Sequence, residues 1–247
     1  MVDNNLFVDC KSKIKSYWDS NVETHKRFLR FFGEEKNIWK NFISQKIKKD
    51  SKVLEFGCGT GNLTELLIEE SYDVKAIDIS TEMLKNFGGK GNGCDLILGD
   101  AELPPLKKES FDVILCRNLV CTLPNPGKAL EKWYEILRNG GSILIIERPF
   151  YGGFEIKKKV GYFFAAIMDG WLPWKNCYDE ETAHLIPPHR GVNPEVLASL
   201  AEKAGFRKIR IEDMKGINIE RRKAIPFYHN LLFEDNFCLI AKKSGLE

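Results

Sequence analysis

The spacing of apolar residues divides the chain into segments of different character. In residues 1–49, apolar and aromatic side chains recur three or four positions apart, as at Trp18 and Val22, and this spacing predicts helices. A break near Gly33 marks the start of a new helix. Residues 50–147 then alternate short apolar runs with helical patterns. The runs are apolar throughout rather than at every second position, which predicts a parallel sheet covered by helices on both faces. The predicted strands are 53–56, 73–77, 95–98, 111–116 and 142–146, and the predicted helices are 62–70, 81–87 and 128–137.

The regular alternation stops after Glu147. Residues 148–192 form an insertion rich in aromatic side chains, which we interpret as a cap over the acceptor pocket, beside the carboxyl end of the fifth strand. A homodimer interface or a membrane-contacting surface is the alternative, since exposed apolar patches often serve association. A helix over 194–204 and strands over 207–212 and 236–241 complete the chain. We therefore expect a single α/β domain over 1–247, with N-terminal helices (1–49), a core (50–147), the insertion (148–192) and a C-terminal helix and strand pair (193–247).

The first predicted strand ends in a loop with three glycines, Gly57-Cys58-Gly59-Thr60-Gly61. A strand that turns through glycines into a helix presents backbone N–H groups to a ligand that can approach closely. Nicotinamide- and flavin-binding proteins share this signal, but their spacing is Gly-x-Gly-x-x-Gly. Here the spacing differs, and the acidic Glu55 precedes the loop. A carboxylate at this place would repel a pyrophosphate, whereas it suits a ligand that carries an ammonium and a sulfonium group.

Four stretches in a fixed order carry a resemblance to a known family. They are 53–61 with the glycine loop, 76–84 with Asp78, 99–104 with Asp100 followed by 111–114, and 123–141. In these stretches the sequence resembles the class I S-adenosylmethionine-dependent methyltransferases that act on small molecules. The likeness covers about Lys52 to Glu147, and Ala204-Gly205-Phe206 extends it. It implies a doubly wound, mostly parallel seven-stranded sheet with an antiparallel last strand, in which the N-terminal helices form a lid and the core binds the cofactor.

The resemblance implies that the glycine loop lies beneath the methionine portion of S-adenosylmethionine. Glu55 would then orient the amino group of the cofactor. Arg117, just after the fourth strand, lies where the family places a backbone carbonyl near that amino group. The loop residues implied in this contact are Gly57, Cys58, Gly59 and Gly61, with Cys58 as a small residue in the turn.

The same resemblance places the nucleoside beyond the second and third strands. Asp78 would accept hydrogen bonds from both ribose hydroxyls, for which the two oxygens of a carboxylate are well suited. Asp100 would accept a hydrogen bond from the adenine amino group, and Ala101 would donate its backbone N–H to the ring. Ile79 and Met83 would pack on the two faces of the adenine. The alternatives are purely structural. Each acidic residue could instead cap a helix or be a solvated carboxylate, and the methionine could instead pack in the core.

The candidate catalytic residues are fewer. Methyl transfer from a sulfonium is an in-line displacement, so the enzyme mainly positions donor and acceptor, and the acceptor decides whether a base is needed. His184 and His189, at the end of the insertion, are candidate bases, although such residues are more often hydrogen-bonded loop histidines; His25 and His229 are weaker candidates. Tyr17 resembles part of the aromatic lid that closes over the cofactor in many relatives, and ordinary helix packing is the alternative.

Composition limits the partners of the chain. The formal net charge is only +2, from 37 basic and 35 acidic residues, so the long-range electrostatic attraction to nucleic acid or an anionic membrane is weak. Short basic runs such as 221–223 are interpreted as solvated. No secretory signal or membrane-spanning stretch is recognised, and seven irregularly spaced cysteines indicate free thiols in a reducing cytoplasm without a metal site. We expect a small-molecule acceptor, with a homodimer left open, and neither nucleic acid nor a membrane as partner. A nicotinamide-dependent oxidoreductase and a catalytically silent binding protein on the same fold are the alternatives.

Overall fold

The computed structural model describes residues 4–29, 32–88, 93–149, 156–168, 178, 180–186, 191–232 and 235–244. These segments form a seven-stranded sheet with helices on both of its faces. The strands are β1 (Lys52–Phe56), β2 (Asp73–Asp78), β3 (Cys94–Leu98), β4 (Phe111–Arg117), β5 (Leu137–Glu147), β6 (Arg207–Asp213) and β7 (Phe237–Lys242). The helices are α1 (Asn4–Ser20), α2 (Val22–Phe28), α3 (Phe32–Lys46), α4 (Asn62–Glu69), α5 (Thr81–Lys85), α6 (Pro126–Ile136), α7 (Ile156–Met168), α8 (Glu180–Leu185), α9 (Pro194–Lys203), α10 (Lys215–Ala224) and α11 (Phe227–Asn230).

The strand order β3-β2-β1-β4-β5-β7-β6 is that of a doubly wound sheet. β1 pairs in parallel with β2 on one side and with β4 on the other, and β5 continues the parallel set. β7 lies antiparallel between β5 and β6. This arrangement confirms the predicted α/β class and its antiparallel last strand. The direction of winding reverses between β1 and β4, and sheets of this kind bind ligands at the carboxyl ends of the strands beside the reversal.

Two apolar clusters, one on each face of the sheet, hold the helices in place. On the first face Trp133 of α6 stacks on Phe56 of β1, with ring centroids 5.0 Å apart. On the second face Trp39 of α3 and Leu66 of α4 belong to a separate buried cluster. Burial of both faces supplies the main driving force for assembling the sheet. Trp133 also donates its indole N–H to the Ala101 carbonyl at 2.9 Å, which fixes the loop after β3 close to the winding reversal.

Helix α6 ends earlier than its pattern predicted. It stops at Ile136, and Leu137 already pairs with Phe111 as the first residue of β5. The register between the two strands then shifts, and Gly140, with a φ of +77°, lets the backbone pass through this irregularity before regular pairing resumes at Ser142. The predictions of a helix through Leu137 and of a strand that begins only at Ser142 are therefore wrong.

The long connection between β6 and β7 contains α10 and α11, which the sequence pattern did not predict. α10 has few apolar residues, so its sequence contains little of the recurring apolar pattern by which a helix is recognised. It packs against α3, and Arg221 on α10 reaches Glu35 on α3. This contact brings the C-terminal part of the chain next to the N-terminal helices.

The aromatic insertion is described over α7 and α8, at Tyr178 and at its two ends; its residues 150–155, 169–177, 179 and 187–190 lie outside the described part. α8 packs against α1, where Tyr178 packs on the buried pair Cys10 and Ile14. α7 packs against α11 and leaves Phe163 and Ile167 exposed. Within the described ranges, no helix is both long and apolar enough to cross a bilayer.

Candidate active site

A cavity of about 160 Å³ opens at the carboxyl ends of the central strands, next to α1 and α2. Ten of the eleven predicted cofactor residues line it, and they come from the ends of β1, β2, β3 and β4 and from α5. The sheet topology therefore gathers residues that are widely separated along the chain. The ten are Glu55, Gly57, Cys58, Gly59, Asp78, Ile79, Met83, Asp100, Ala101 and Arg117.

Gly61, the remaining predicted residue, is not part of the lining. It has a φ of +93° and forms the N-cap of α4. A Cβ at this position would lie 2.5 Å from the ring of Phe87, so the position has no room for a side chain. Gly61 therefore turns the chain into α4, while Gly57 and Gly59 face the cavity.

The glycine loop is tied to β2. The N–H of Gly57 donates to the carbonyl of Ile77 at 2.8 Å. Gly59, with a φ of +56°, donates its N–H to Oδ2 of Asp78 at 2.8 Å. A Cβ on Gly59 would lie 3.0 Å from Cε1 of His25, so the glycine allows α2 to approach the loop closely. The loop is thus fixed from below by β2 and covered from above by α2.

Asp78 is the last residue of β2, and backbone hydrogen bonds orient both of its carboxylate oxygens. Oδ2 accepts the N–H of Gly59 and Oδ1 accepts the N–H of Ser80, each at 2.8 Å. Burial raises the pKa of this carboxyl, and the backbone donors oppose the rise. Ser80 also accepts the N–H of Met83 at 3.0 Å, which begins α5 and sets Met83 against the cavity. Each carboxylate oxygen can accept a second hydrogen bond, so the geometry fits a diol such as a ribose.

Glu55 is buried on β1 beneath the glycine loop. Its Oε2 accepts a hydrogen bond from the Thr64 hydroxyl of α4 at 2.5 Å. Burial raises the pKa of Glu55 to about 7, against the opposing effects of Thr64 and Arg117. The carboxyl therefore titrates near neutrality, and a ligand ammonium placed beside it would favour its charged form.

Asp100 follows β3 and is paired with the N-terminal helix α1. Lys11 of α1 forms ion pairs with Asp100 and with buried Glu102, the second at 2.9 Å. Glu102 in turn accepts the N–H of Asn125 at 2.7 Å, which fixes the loop before α6. We call the end of the cavity formed by Asp78, Asp100 and Glu102 the acidic end. Lys11 was not predicted as a site residue. It lies 89 residues from Asp100 along the chain, in a helix whose charged residues are spaced as on an ordinary exposed surface.

Three arginines line another part of the cavity, and we call them the arginine wall: Arg117 at the end of β4, Arg148 directly after β5, and Arg221 on α10. The Arg221 side chain is only 15 % exposed, so the expectation that its basic run is solvated is wrong for this residue. Burial, followed by the charge of Arg221, lowers the pKa of Arg117 to about 10, which leaves Arg117 cationic at neutral pH. The guanidinium of Arg117 lies 5.0 Å from the centroid of the Trp39 ring.

Two further polar residues line the cavity: His25, which the sequence analysis treated as a weak candidate, and Asn118, which it did not predict as a site residue. His25 of α2 lies over the glycine loop; burial, followed by the charge of Arg117, lowers its pKa to about 4, so its imidazole is neutral at pH 7. Asn118 follows β4 with a φ of +54°, and its N–H donates to the carbonyl of Ile146 at 2.9 Å. The buried Oδ1 of Asn118 has no hydrogen-bond partner among the described residues. Its place directly after a central strand was the signal that could have identified it.

The predicted catalytic residues stand apart from the lining. Tyr17 does not itself line the cavity, but its ring centroid lies 5.2 Å from that of Trp18 and 4.9 Å from that of Tyr178, which do. His184 is exposed on α8 and is not part of the lining, which gives no support for a role as base. His189 lies outside the described residues. Across the described ranges, no group of three or more His, Cys, Asp or Glu side chains is placed to hold a metal ion.

The doubly wound sheet, the glycine loop after β1 and the carboxylates after β2 and β3 define a Rossmann-like, nucleoside-binding protein. Comparison with known proteins makes this specific. Residues 54–145 match the family model described as a methyltransferase domain, and together with the relatives below this match supports a class I S-adenosylmethionine-dependent methyltransferase. The predicted enzyme class and cofactor are thereby confirmed, whereas the nicotinamide and the catalytically silent alternatives receive no support.

Relatives of known activity share most of the chain. It is 28 % identical over 195 residues to the ubiquinone/menaquinone biosynthesis C-methyltransferase UbiE of Pseudoalteromonas translucida, which covers 72 % of this chain and 76 % of that protein. It is 27 % identical over 202 residues to UbiE of Cronobacter sakazakii, with the same two coverages. The similarity therefore extends beyond the methyltransferase domain itself on at least one side.

Solved structures share the fold at lower sequence identity. An S-adenosylmethionine-dependent methyltransferase of Thermotoga maritima, described as a possible histamine N-methyltransferase, superimposes with a TM-score of 0.62 at 18 % identity and covers 93 % of this chain and 99 % of that one. A phosphoethanolamine N-methyltransferase of Haemonchus contortus, solved with phosphomonomethylethanolamine and S-adenosylhomocysteine, gives a TM-score of 0.58 at 17 % identity over 92 % of this chain and 58 % of that one. These likenesses establish the common fold.

Proposed function

We propose that this methyltransferase acts on a small-molecule acceptor that enters the same cavity as the cofactor. The observation that carries the proposal is the lining, which joins Asp78 and Asp100 to Asn118 and Arg148 in one cavity next to α1 and α2. A concave site of this kind suits a small molecule, whereas a nucleic-acid duplex needs a broad basic surface. The small net charge of the whole chain agrees with this assignment.

The acidic end of the cavity would bind the nucleoside of S-adenosylmethionine. Asp78 would accept hydrogen bonds from the ribose hydroxyls, since its two backbone donors already orient both of its oxygens. Glu55 would pair with the cofactor ammonium beneath Gly57 and Gly59. Asp100 would accept from the adenine amino group while it shares its charge with Lys11. Bound in this way, the cofactor supplies an electrophilic methyl group on a sulfonium.

Asn118 is the side chain best placed to orient the attacking group of the acceptor. Its Oδ1 lies at the end of β4, where the sheet changes its direction of winding, and is buried without a partner in the described part of the chain. A hydroxyl, amine or water that donates to this oxygen would satisfy it. An amide oxygen does not take a proton at neutral pH, so Asn118 would position the acceptor rather than act as a base.

His25 is the imidazole that lines the described cavity. With a pKa of about 4 it accepts protons weakly at pH 7. A base this weak contributes little to removing a proton from an alcohol or a carbon acid. Among the described residues of the lining, we therefore propose a contribution from orientation of an acceptor that is already nucleophilic, an effect of roughly 7 to 11 kcal/mol in well-aligned reactions.

The proposal is tested by following the methyl group. The purified enzyme is incubated with radiolabelled S-adenosylmethionine and a metabolite extract, and the label is then separated by size among protein, nucleic acid and small molecules. We expect the label in the small-molecule fraction. We also expect Asn118→Ala to slow transfer by about tenfold or more without changing the dissociation constant of S-adenosylhomocysteine, as removal of a positioning contact should.

Asn41→Ala is the matched control, because Asn41 is exposed on α3, away from the cavity lining. It should behave as the wild type in both measurements. Label that accumulates on nucleic acid or on protein would contradict the proposal, as would full activity of Asn118→Ala.

A further inference from the structure

The two ends of the cavity carry opposite charge. Carboxylates gather at the acidic end, where Lys11 pairs with two of them. The arginine wall lies farther along the edge of the sheet, because the strand order places β4 and then β5 beyond β1. Neighbouring strands are about 4.8 Å apart, so the chain leaves β5 at Arg148 roughly 10 Å from the strand that carries the glycine loop. In the proposed binding mode the acidic end takes the nucleoside of S-adenosylmethionine and Glu55 takes its ammonium, and neither contact requires three arginines.

Two side chains of the arginine wall, those of Arg117 and Arg221, are held in place by neighbouring groups. Nε of Arg221 lies 3.0 Å from both carboxylate oxygens of Glu35, which is itself buried and accepts the indole N–H of Trp39 at 3.0 Å. Arg117 lies on the ring of the same Trp39. Glu35 and Trp39 thus set the positions of two guanidiniums that are close enough for Arg221 to depress the pKa of Arg117.

The Glu35 carboxylate offsets part of the positive charge of Arg117 and Arg221, and a bound anion would offset more of it. Guanidinium groups also match the planar oxygen pairs of carboxylates and the oxygens of phosphates in geometry. The arginine wall is therefore organised in advance for an anionic ligand.

The position of each arginine indicates which anion it meets. Arg117 follows the strand next to the one that carries Glu55, so it would be the arginine that meets the carboxylate of a cofactor whose ammonium pairs with Glu55. Arg148 follows β5, one strand farther away, and its carbonyl accepts the N–H of Val192, which anchors it beside the C-terminal part of the chain. We infer that the methyl acceptor carries an anionic group, a carboxylate or a phosphate, and that Arg148 and Arg221 bind this group. The inference rests on the proposed small-molecule acceptor and specifies its chemical class.

The experiment uses the full chain saturated with S-adenosylhomocysteine. Benzoate, its uncharged counterpart benzamide, and inorganic phosphate are titrated separately by calorimetry at constant ionic strength. We expect benzoate and phosphate to bind, with benzoate at least about tenfold tighter than benzamide, because a charge-assisted hydrogen bond contributes on this scale. Arg148→Gln should abolish the preference for benzoate and change the dissociation constant of S-adenosylhomocysteine less than about twofold.

Two further variants separate a loss of anion binding from a loss of folding. Arg221→Gln alone would leave the buried Glu35 carboxylate without its cation, so it is combined with Glu35→Gln, and the double variant should lose the benzoate preference as well. Arg222→Gln is the control, since Arg222 is adjacent on α10 but half exposed and pairs with Asp235. It should keep the preference.

Each contrary result has a distinct meaning. Equal binding of benzoate and benzamide, with S-adenosylhomocysteine still bound, overturns the anionic acceptor and leaves the proposed function standing. A loss of S-adenosylhomocysteine binding in Arg148→Gln shows that Arg148 holds the cofactor instead, which also overturns the inference. Failure of the wild type to bind S-adenosylhomocysteine would overturn the proposed function itself.

Discussion

Replacing Asp78 by Ala separates the structural contribution of this carboxylate from its proposed contact with the ribose. In the folded protein its oxygens accept the backbone N–H groups of Gly59 and Ser80, both at 2.8 Å. The substitution removes the acceptor of two buried donors, and each such loss costs about 1 to 3 kcal/mol. Water can enter the cavity and satisfy part of this loss. We therefore expect the free energy of unfolding to fall by about 2 to 4 kcal/mol in the absence of ligand.

The same substitution removes the proposed acceptor of two ribose hydroxyls. Hydrogen bonds to a charged group contribute about 1.5 to 3 kcal/mol each, so even the lower value gives about 3 kcal/mol for the pair, or roughly 150-fold weaker binding of S-adenosylhomocysteine. Asp73→Ala is the matched control, because Asp73 is the exposed first residue of the strand that Asp78 ends. It should bind S-adenosylhomocysteine as the wild type does.

Calorimetric titration with S-adenosylhomocysteine measures the affinity, at a temperature where thermal unfolding curves show both variants to be folded. The two effects are thereby read separately, one from the unfolding curve and one from the titration. An Asp78→Ala variant that unfolds at lower temperature but binds S-adenosylhomocysteine with wild-type affinity would refute the reasoning. Asp78 would then serve only to hold the glycine loop.

Two other predictions concern the loop and its carboxylate. The pKa of Glu55 is about 7, and a cofactor ammonium beside it would favour its ionised form, so the affinity for S-adenosylhomocysteine should rise by up to about tenfold between pH 6 and pH 8. Calorimetry should find this pH dependence absent in Glu55→Gln. An unchanged pH dependence in that variant would assign it to another group. Gly61→Ala combines a φ of +93° with a Cβ 2.5 Å from the Phe87 ring, so chemical denaturation should show a loss of about 2 to 5 kcal/mol. Gly140→Ala, with a φ of +77° and nothing within 4 Å, should lose only about 1 to 2 kcal/mol, and equal losses in the two variants would mean that the contact with Phe87 relaxes freely.

The sheet and the cofactor half of the site were predictable from local features of the sequence. Buried parallel strands leave uninterrupted apolar runs, and the glycine loop and Asp78 directly follow such runs, so their place at the carboxyl edge follows from the topology of doubly wound sheets. The error at Leu137 arose because a residue that ends an apolar helical stripe also suits a strand, and only its pairing with Phe111 decides between them.

The remaining part of the site could not be predicted, because it depends on contacts between distant segments. Lys11 reaches Asp100 across 89 residues, and Arg221 reaches Glu35 across 186. Both side chains belong to helices with charged, surface-like patterns, where a basic residue is usually solvated. Nothing local distinguishes an arginine that lines a cavity from its exposed neighbour Arg222.

The origin of the arginine wall has a consequence for how the enzyme can diversify. The methyltransferase domain, residues 54–145, contains Glu55, Asp78, Asp100 and Arg117, whereas Arg148 and Arg221 lie outside it. The proposed donor contacts and Asn118 thus lie within this domain, whereas the two arginines proposed to bind the anionic group of the acceptor are encoded after it. If Arg148 and Arg221 bind the acceptor as inferred, mutations after residue 147 can change the group that the enzyme accepts while the residues of the methyltransferase domain are inherited unchanged, so a descendant can acquire a new substrate without first losing its cofactor.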